Sequence, residues 1–181
     1  MTDNIGILRG RIRILLGLFV VGLMLSGLTA FPLRIEVDLL QRIVGEGSPT
    51  EPWWPGLARW ISFVHRGVTE ASDLYPFLLY GTDWLAFAHL VIAIAFIGPL
   101  RDPVRNIWVV EFGIIACLLV IPCALICGLI RGIPFFWRLI DCSFGLVGII
   151  PLYLAWRLIR RVTGLESSAG AMPAAVEKWA T

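Results

Sequence analysis

The chain has 181 residues, of which 58% are hydrophobic and only 15% are charged, and its mean hydropathy is +0.83. Soluble domains contain roughly 45–50% apolar residues, so a soluble fold of this length would leave much apolar surface in water. A net charge of +2 is too small to suggest nucleic acid as a partner. We therefore expect an integral membrane protein whose first partner is the lipid bilayer.

Four apolar stretches are long enough to cross a bilayer, which takes about 20 residues of helix. We predict spans at about residues 14–31, 77–100, 107–130 and 136–156. A lipid-exposed segment must satisfy its own backbone hydrogen bonds, which a helix does and an open sheet does not. The predicted fold is therefore all-α, a polytopic membrane protein with a four-transmembrane-helix bundle over residues 14–161 and a helical outer loop.

The basic residues indicate how the chain crosses the membrane. If all four spans cross, nine basic residues fall on one side: Arg9, Arg11, Arg13, Arg101, Arg105, Arg157, Arg160, Arg161 and Lys178. Cytoplasmic loops carry such an excess, so we expect both termini in the cytoplasm, in the bacterial cytoplasmic (inner) membrane. Residues 1–13 are then a cytoplasmic N-terminal segment, and residues 162–181, rich in Ser, Gly and Ala, are predicted to be a mobile cytoplasmic tail.

The segment between the first two spans, residues 33–75, is too long to be a bare connection. Apolar residues recur at helical spacing from Ile35 to Val44 and again from Leu57 to Val68, which predicts two helices. Tryptophan favours the headgroup level of a bilayer, so the second helix is expected to lie along the outer surface, or as a lid on the bundle. The predicted outer lid comprises Trp53, Trp54, Trp60, His65 and Arg66.

Ionisable residues occur within the predicted spans, where they are costly and need a partner or a purpose. Asp83 and Asp141 each lie ~9 Å from the middle of their spans toward the outer face, at a rise of ~1.5 Å per residue. Arg138 precedes Asp141 by one turn, and Arg131 follows the third span. We therefore predict an outer-leaflet cluster of Asp83, Arg131, Arg138 and Asp141. It is either a set of ion pairs that holds helices together or a polar site for a headgroup, an ion or a proton.

His89 lies near the middle of the second span, on the same helix face as Thr82, Ala86 and Ala93. A small and polar face suits contact with another helix. Three roles are open for the imidazole: a hydrogen bond across helices, proton or ligand handling, and haem ligation. For haem, Met24 in the first span is the candidate second axial ligand. The cofactors are unknown, and we expect none.

Two other features have default structural interpretations. Cys123 and Cys127 share a helix face, but no His or acid lies at matching spacing beside them, so we expect no metal site. Glu111 lies one turn inside the third span, and we expect it to form an interfacial ion pair with Arg101 or Arg105.

No catalytic motif for hydrolysis, phosphate binding or metal chemistry is present, which argues against an enzyme. The leading hypothesis is a non-enzymatic subunit or accessory protein that binds a membrane-protein partner or further copies of itself. The alternative is a protein that binds or transports a lipid, a quinone or another apolar small molecule through the charged outer-leaflet site. A proton or ion pathway, or a b-type haem protein, is the third hypothesis.

Overall fold

A computed structural model of the protein describes the backbone of residues 2–177 and the side chains of residues 5–168. The described part of the chain is 85% helix and contains no strand, which confirms the all-α class. The helices are α1 (Thr2–Thr29), α2 (Leu33–Val44), α3 (Pro55–Leu74), α4 (Tyr80–Ala95), α5 (Ile97–Arg101), α6 (Ile107–Ile130) and α7 (Phe135–Glu177), with a 3-10 turn at Pro76–Leu78.

Four helical stretches in the described residues are long and apolar enough to cross a membrane. They are Ile5–Thr29, Pro76–Arg101, Ile107–Ile130 and Phe135–Ser168. They coincide with the four predicted spans, but the helices at both ends of the chain are longer than predicted. α1 includes most of the predicted N-terminal segment, and α7 continues to Glu177 through most of the predicted tail. Residues 178–181, including the Lys178 used for orientation, lie outside the described residues.

The second span is built from separate pieces rather than from one helix. The 3-10 turn, α4 and α5 follow one another over Pro76–Arg101. Pro99 explains the break between α4 and α5, because it has no amide hydrogen to donate to the carbonyl of Ala95. Pro122 and Pro151, in contrast, lie within the uninterrupted α6 and α7.

The chain divides into two compact units. The first, here called the α6–α7 unit, contains Met1–Gly22 and Ile94–Thr181. The second, the α2–α4 unit, contains Leu23–Ala93. The arrangement of the four candidate spans as one bundle stays a prediction.

In the α6–α7 unit, a tight turn joins α6 to α7. Gly132 adopts a φ of 68°, which a residue with a side chain rarely does, and its amide donates to the carbonyl of Leu129 at 3.2 Å. The amide of Ile133 donates to the carbonyl of Gly128 at 2.8 Å. Together these bonds form a Schellman motif, which satisfies the carbonyl groups at the end of α6 and lets the chain reverse.

α6 and α7 pack as an antiparallel hairpin, as the short connection between the predicted spans implies. Glycines allow the two helices to approach closely. A Cβ atom at Gly145 would overlap the backbone carbonyl of Cys117, and one at Gly113 would lie 2.9 Å from the side chain of Leu152. Small residues permit such close contacts between apolar helices.

α1 packs against α7 and the segment before α6 in the same unit. Arg9 forms an ion pair with Glu166 at 2.8 Å, and the rings of Phe19 and Phe96 lie 4.8 Å apart between centroids. Arg13 Nε donates to the carbonyl of Leu100 at 3.2 Å. The buried apolar residues of this unit are Ile12, Leu16, Phe96, Val109, Val110, Cys117, Cys142, Leu152, Ala155, Ile159 and Val162.

The predicted ion pair of Glu111 is wrong. Its carboxylate accepts a hydrogen bond of 3.0 Å from the indole Nε1 of Trp156, which directly precedes Arg157 in α7. The antiparallel hairpin brings these two side chains level with each other, which spacing along the chain does not reveal. Among the described side chains, Glu111 forms no ion pair with Arg101 or Arg105.

In the α2–α4 unit, α2 and α3 form a second antiparallel pair, which confirms the two helices predicted between the first spans. Ser62 donates to Gln41 Oε1 at 2.8 Å and accepts from the amide of Glu46 at 2.9 Å, so the linker between the helices is held against α3. Farther along, the hydrogen bond from Arg34 to Asp73 raises the pKa of that guanidinium.

The glycine contact in the α6–α7 hairpin is testable. Gly145→Ala should lower the free energy of unfolding by ~1–3 kcal/mol, because its new methyl group overlaps backbone that cannot rotate away. Gly17→Ala is the matched control, since nothing lies within 4 Å of a Cβ there and alanine favours helix. Unfolding in mixed detergent micelles, followed by circular dichroism, measures both. Equal stability of the two variants would contradict the close packing.

Candidate functional site

An open groove runs along one face of α6 and is closed on one side by α7. It has a volume of about 630 Å³. Its lining residues are Ala116, Leu119, Val120, Cys123, Ala124, Cys127, Gly128, Arg131, Ile133 and Asp141. Those on α6 recur three and four residues apart and therefore share one helix face. We call this surface the α6–α7 groove.

The α6–α7 groove is apolar at one end and polar toward the turn between its helices. Ala116, Leu119 and Val120 line the apolar end, and Arg131 lies at the turn. Asp141 is half-buried. It lies near the middle of the groove, because the neighbouring Cys142 contacts the carbonyl of Ile121 in α6. The polar groups thus lie in the middle and at the turn end of an otherwise apolar surface.

Arg138 lies beside the same groove and has no carboxylate partner among the described side chains of its own unit. Its aliphatic stem covers Gly128, where a Cβ atom would lie 2.6 Å from Arg138 Cγ. Its Nη1 donates to the carbonyl of Leu125 at 3.3 Å, and the guanidinium lies 5.3 Å from the centre of the Phe135 ring. Its Nε is buried and has no hydrogen-bond partner among the described residues.

Three members of the predicted outer-leaflet cluster lie on or beside the α6–α7 groove. Arg131 and Asp141 border the groove, and Arg138 packs on Gly128 in its wall. Within this unit, none of the three forms an ion pair with another. Asp83 belongs to the α2–α4 unit, where it is half-buried in the first turn of α4. The cluster of four stays a prediction.

His89 lies on a helix-contacting face of α4, as its small neighbours indicate. Ala86 and Ala93 are buried, and a Cβ at Gly27 of α1 would lie 2.7 Å from His89 Cβ. The Nδ1 atom bonds to the carbonyl of Leu85 at 2.8 Å, so this hydrogen bond stays within α4 and does not cross to another helix.

The haem hypothesis for His89 and Met24 stays a prediction. The side chain of Met24 is 41% exposed in the structure. Among the described side chains, no group of three or more His, Cys, Asp or Glu residues is positioned to hold a metal ion.

Two predicted lid residues are used to join elements of the α2–α4 unit. His65 Nε2 lies 2.8 Å from Asp38 Oδ1, which links α3 to α2. Arg66 lies 3.7 Å from a carboxylate oxygen of Glu46 in the linker. These contacts give both side chains a structural role beside any role in a lid.

The predicted lid tryptophans differ in their surroundings. Trp53 and Trp54 are exposed, at 79% and 60% of their surface. Trp60 stacks on Phe63 with ring centroids 5.7 Å apart. Large exposed indoles are typical of residues at the headgroup level of a bilayer. The covering of the charged cluster by this lid stays a prediction.

A second groove, which we call the basic groove, was not predicted from the sequence. It lies between α1 and α7, has a volume of about 400 Å³, and is lined by Arg11, Ile14, Leu15, Leu154, Arg157, Leu158 and Arg161. Along the sequence, these arginines indicate only the orientation of the chain. The available signal was spacing, because residues 154, 157, 158 and 161 share one face of a helix.

The chain matches no protein-family model, and no significantly similar protein was found among curated proteins or among solved structures. Its function is therefore argued from the chemistry of its own surfaces.

The unusual environment of Arg138 gives a direct prediction. Arg138→Met should leave the free energy of unfolding unchanged or raised, because it replaces a partly buried guanidinium that lacks a carboxylate in its unit with an apolar chain of similar length. Thermal unfolding in detergent measures the effect, with Asp141→Asn as the companion variant. A loss of ~3–5 kcal/mol in Arg138→Met would instead show that Arg138 has an ionic partner outside the α6–α7 unit.

Proposed function

We propose that this chain is an integral membrane protein of the bacterial inner membrane, with four crossings and both termini in the cytoplasm. Four helices with the required length and apolar composition support the crossings. The positions of Arg9, Arg101 and Arg157 on one side of these helices support the orientation. Exposed apolar side chains along the helices are then in contact with lipid instead of water.

We infer that the protein acts without catalysis of its own, as a subunit or accessory protein that receives a helix of a partner in the α6–α7 groove. The observation that supports this most directly is the line of small residues open to the groove, including Ala116, Cys123, Ala124 and Cys127. Bulky side chains pack well against lipid, whereas small residues let a second helix backbone approach closely.

The polar half of the groove adds a means of fixing that partner in register. Arg131 and Asp141 border it without pairing to each other, and Arg138 Nε is buried without a partner among the described residues. A polar side chain of a docking helix placed here forms interhelical hydrogen bonds. Such bonds contribute ~0.6–2 kcal/mol each in membrane proteins.

A second function is favoured by the order of apolar and polar groups in the same groove. A volume of about 630 Å³ lies within the range of about 300–1,000 Å³ typical of small-molecule sites. An amphipathic molecule, such as a lipid or a quinone, places its tail along Ala116 and Leu119 and its head near Asp141 and Arg131.

Site-specific photo-crosslinking in intact membranes distinguishes the two functions. Leu119 and Leu118 are neighbouring exposed leucines, but only Leu119 lines the groove. A benzophenone amino acid at position 119 should give a discrete protein adduct, visible as a band shift and identifiable by mass spectrometry. The same probe at position 118 should react only with lipid, because it lies on the opposite face of α6.

The outcomes separate the alternatives. A discrete adduct at position 119 that contains the same chain indicates a homo-oligomer, and one that contains another protein indicates a subunit or accessory role. A small-molecule adduct at position 119 alone favours the amphipathic ligand. Identical lipid adducts at positions 118 and 119 would contradict both functions of the groove.

A further inference from the structure

The basic groove presents three guanidinium groups whose charge is not neutralised by any carboxylate among the described side chains. Arg11, Arg157 and Arg161 form no ion pair among the described side chains. Two nearby arginines differ: Arg9 pairs with Glu166 at 2.8 Å, and the guanidinium of Arg160 lies 5.5 Å from the centre of the Trp156 ring. The charge of the basic groove is therefore available to an external anion.

The groove is also ordered from charged to apolar. Along α1, Arg11 precedes Ile14 and Leu15, which begin the long apolar run of that helix. Along α7, Leu154 lies in the apolar run, and Arg161 lies beyond it. On both helices the lining thus begins with an aliphatic side chain in the apolar run and ends with an arginine away from it, with Leu158 between the two arginines of α7.

We propose that the basic groove binds an anionic phospholipid of the surrounding membrane. The phosphate lies among Arg11, Arg157 and Arg161, whose planar guanidinium groups match phosphate oxygens with paired hydrogen bonds. The proximal acyl chain lies on Ile14 and Leu154. Basic pockets between membrane helices at the cytoplasmic side are suited to such headgroups.

A lipid fits this groove better than a soluble anion does. A free phosphate or an acidic peptide would leave the four aliphatic side chains of the lining exposed to water, which is unfavourable. A phospholipid covers both the aliphatic and the basic parts. The inference depends on the proposed membrane embedding but not on any occupant of the α6–α7 groove.

The test is native mass spectrometry of the full chain, taken from nanodiscs of phosphatidylcholine that contain a minority of phosphatidylglycerol. We expect phosphatidylglycerol to be retained in preference to phosphatidylcholine. Arg157→Gln should lower the apparent affinity for it about fivefold, and the triple variant with Arg11→Gln and Arg161→Gln should abolish the preference. Arg160→Gln is the matched control, because this arginine is exposed on the same helix but does not line the groove.

Folding is checked independently by circular dichroism and by gel-filtration volume, and Arg157→Lys provides a variant that keeps the charge. Equal retention of the two lipids, or equal losses in Arg157→Gln and Arg160→Gln, would overturn the proposal. Binding of inorganic phosphate to the delipidated protein at the strength of the lipid would assign the groove to a soluble anion instead. Failure of the chain to enter nanodiscs would count against membrane embedding itself, whatever occupies the α6–α7 groove.

Discussion

Every candidate span leaves most of its residues at least partly exposed on the surface of the described structure. In the most apolar part of each span, only 17–22% of the residues are buried. Apolar side chains in lipid gain little by meeting one another, so helix association depends on close van der Waals contact at small residues. The helix packing follows this need for small residues. Glycines lie at close contacts between neighbouring helices, at Gly27, Gly113 and Gly145.

The same constraint makes polar groups on these helices informative, because each is costly in hydrocarbon unless it is satisfied. Glu111 is satisfied by the indole of Trp156, and Arg9 by Glu166. Several other charged groups that lack an ion-pair partner among the described residues of the α6–α7 unit lie on two surfaces, the α6–α7 groove and the basic groove. Around Arg138 these groups lie among small residues, an arrangement that suits contact with the helix of a partner. Around Arg157 they lie among aliphatic residues and carry only positive charge, an arrangement that suits an anionic lipid.

The sequence was sufficient for elements whose signal is local. Apolar length predicted the four candidate spans, and helical periodicity predicted α2 and α3. The sequence does not predict contacts that depend on which helices pack together. The pairing of Glu111 with Trp156 follows from the register of a hairpin, and the basic groove follows from α1 packing against α7. Ser and Gly after Arg161 indicate a tail, whereas Ala, Leu and Glu in the same segment favour the helix into which α7 continues.

Protease protection in sealed membranes tests the central claim, that lipid covers these helices and that the chain crosses four times. Cleavage of a C-terminal epitope tag shows on which side of the membrane the C-terminus lies. Cleavage of the linker between α2 and α3 shows on which side that linker lies. In spheroplasts, external protease should cut between residues 33 and 75 and spare the tag, and in inverted vesicles it should remove the tag and spare that segment. Loss of the tag and the linker from the same side, or release of the chain by alkaline carbonate, would contradict the account.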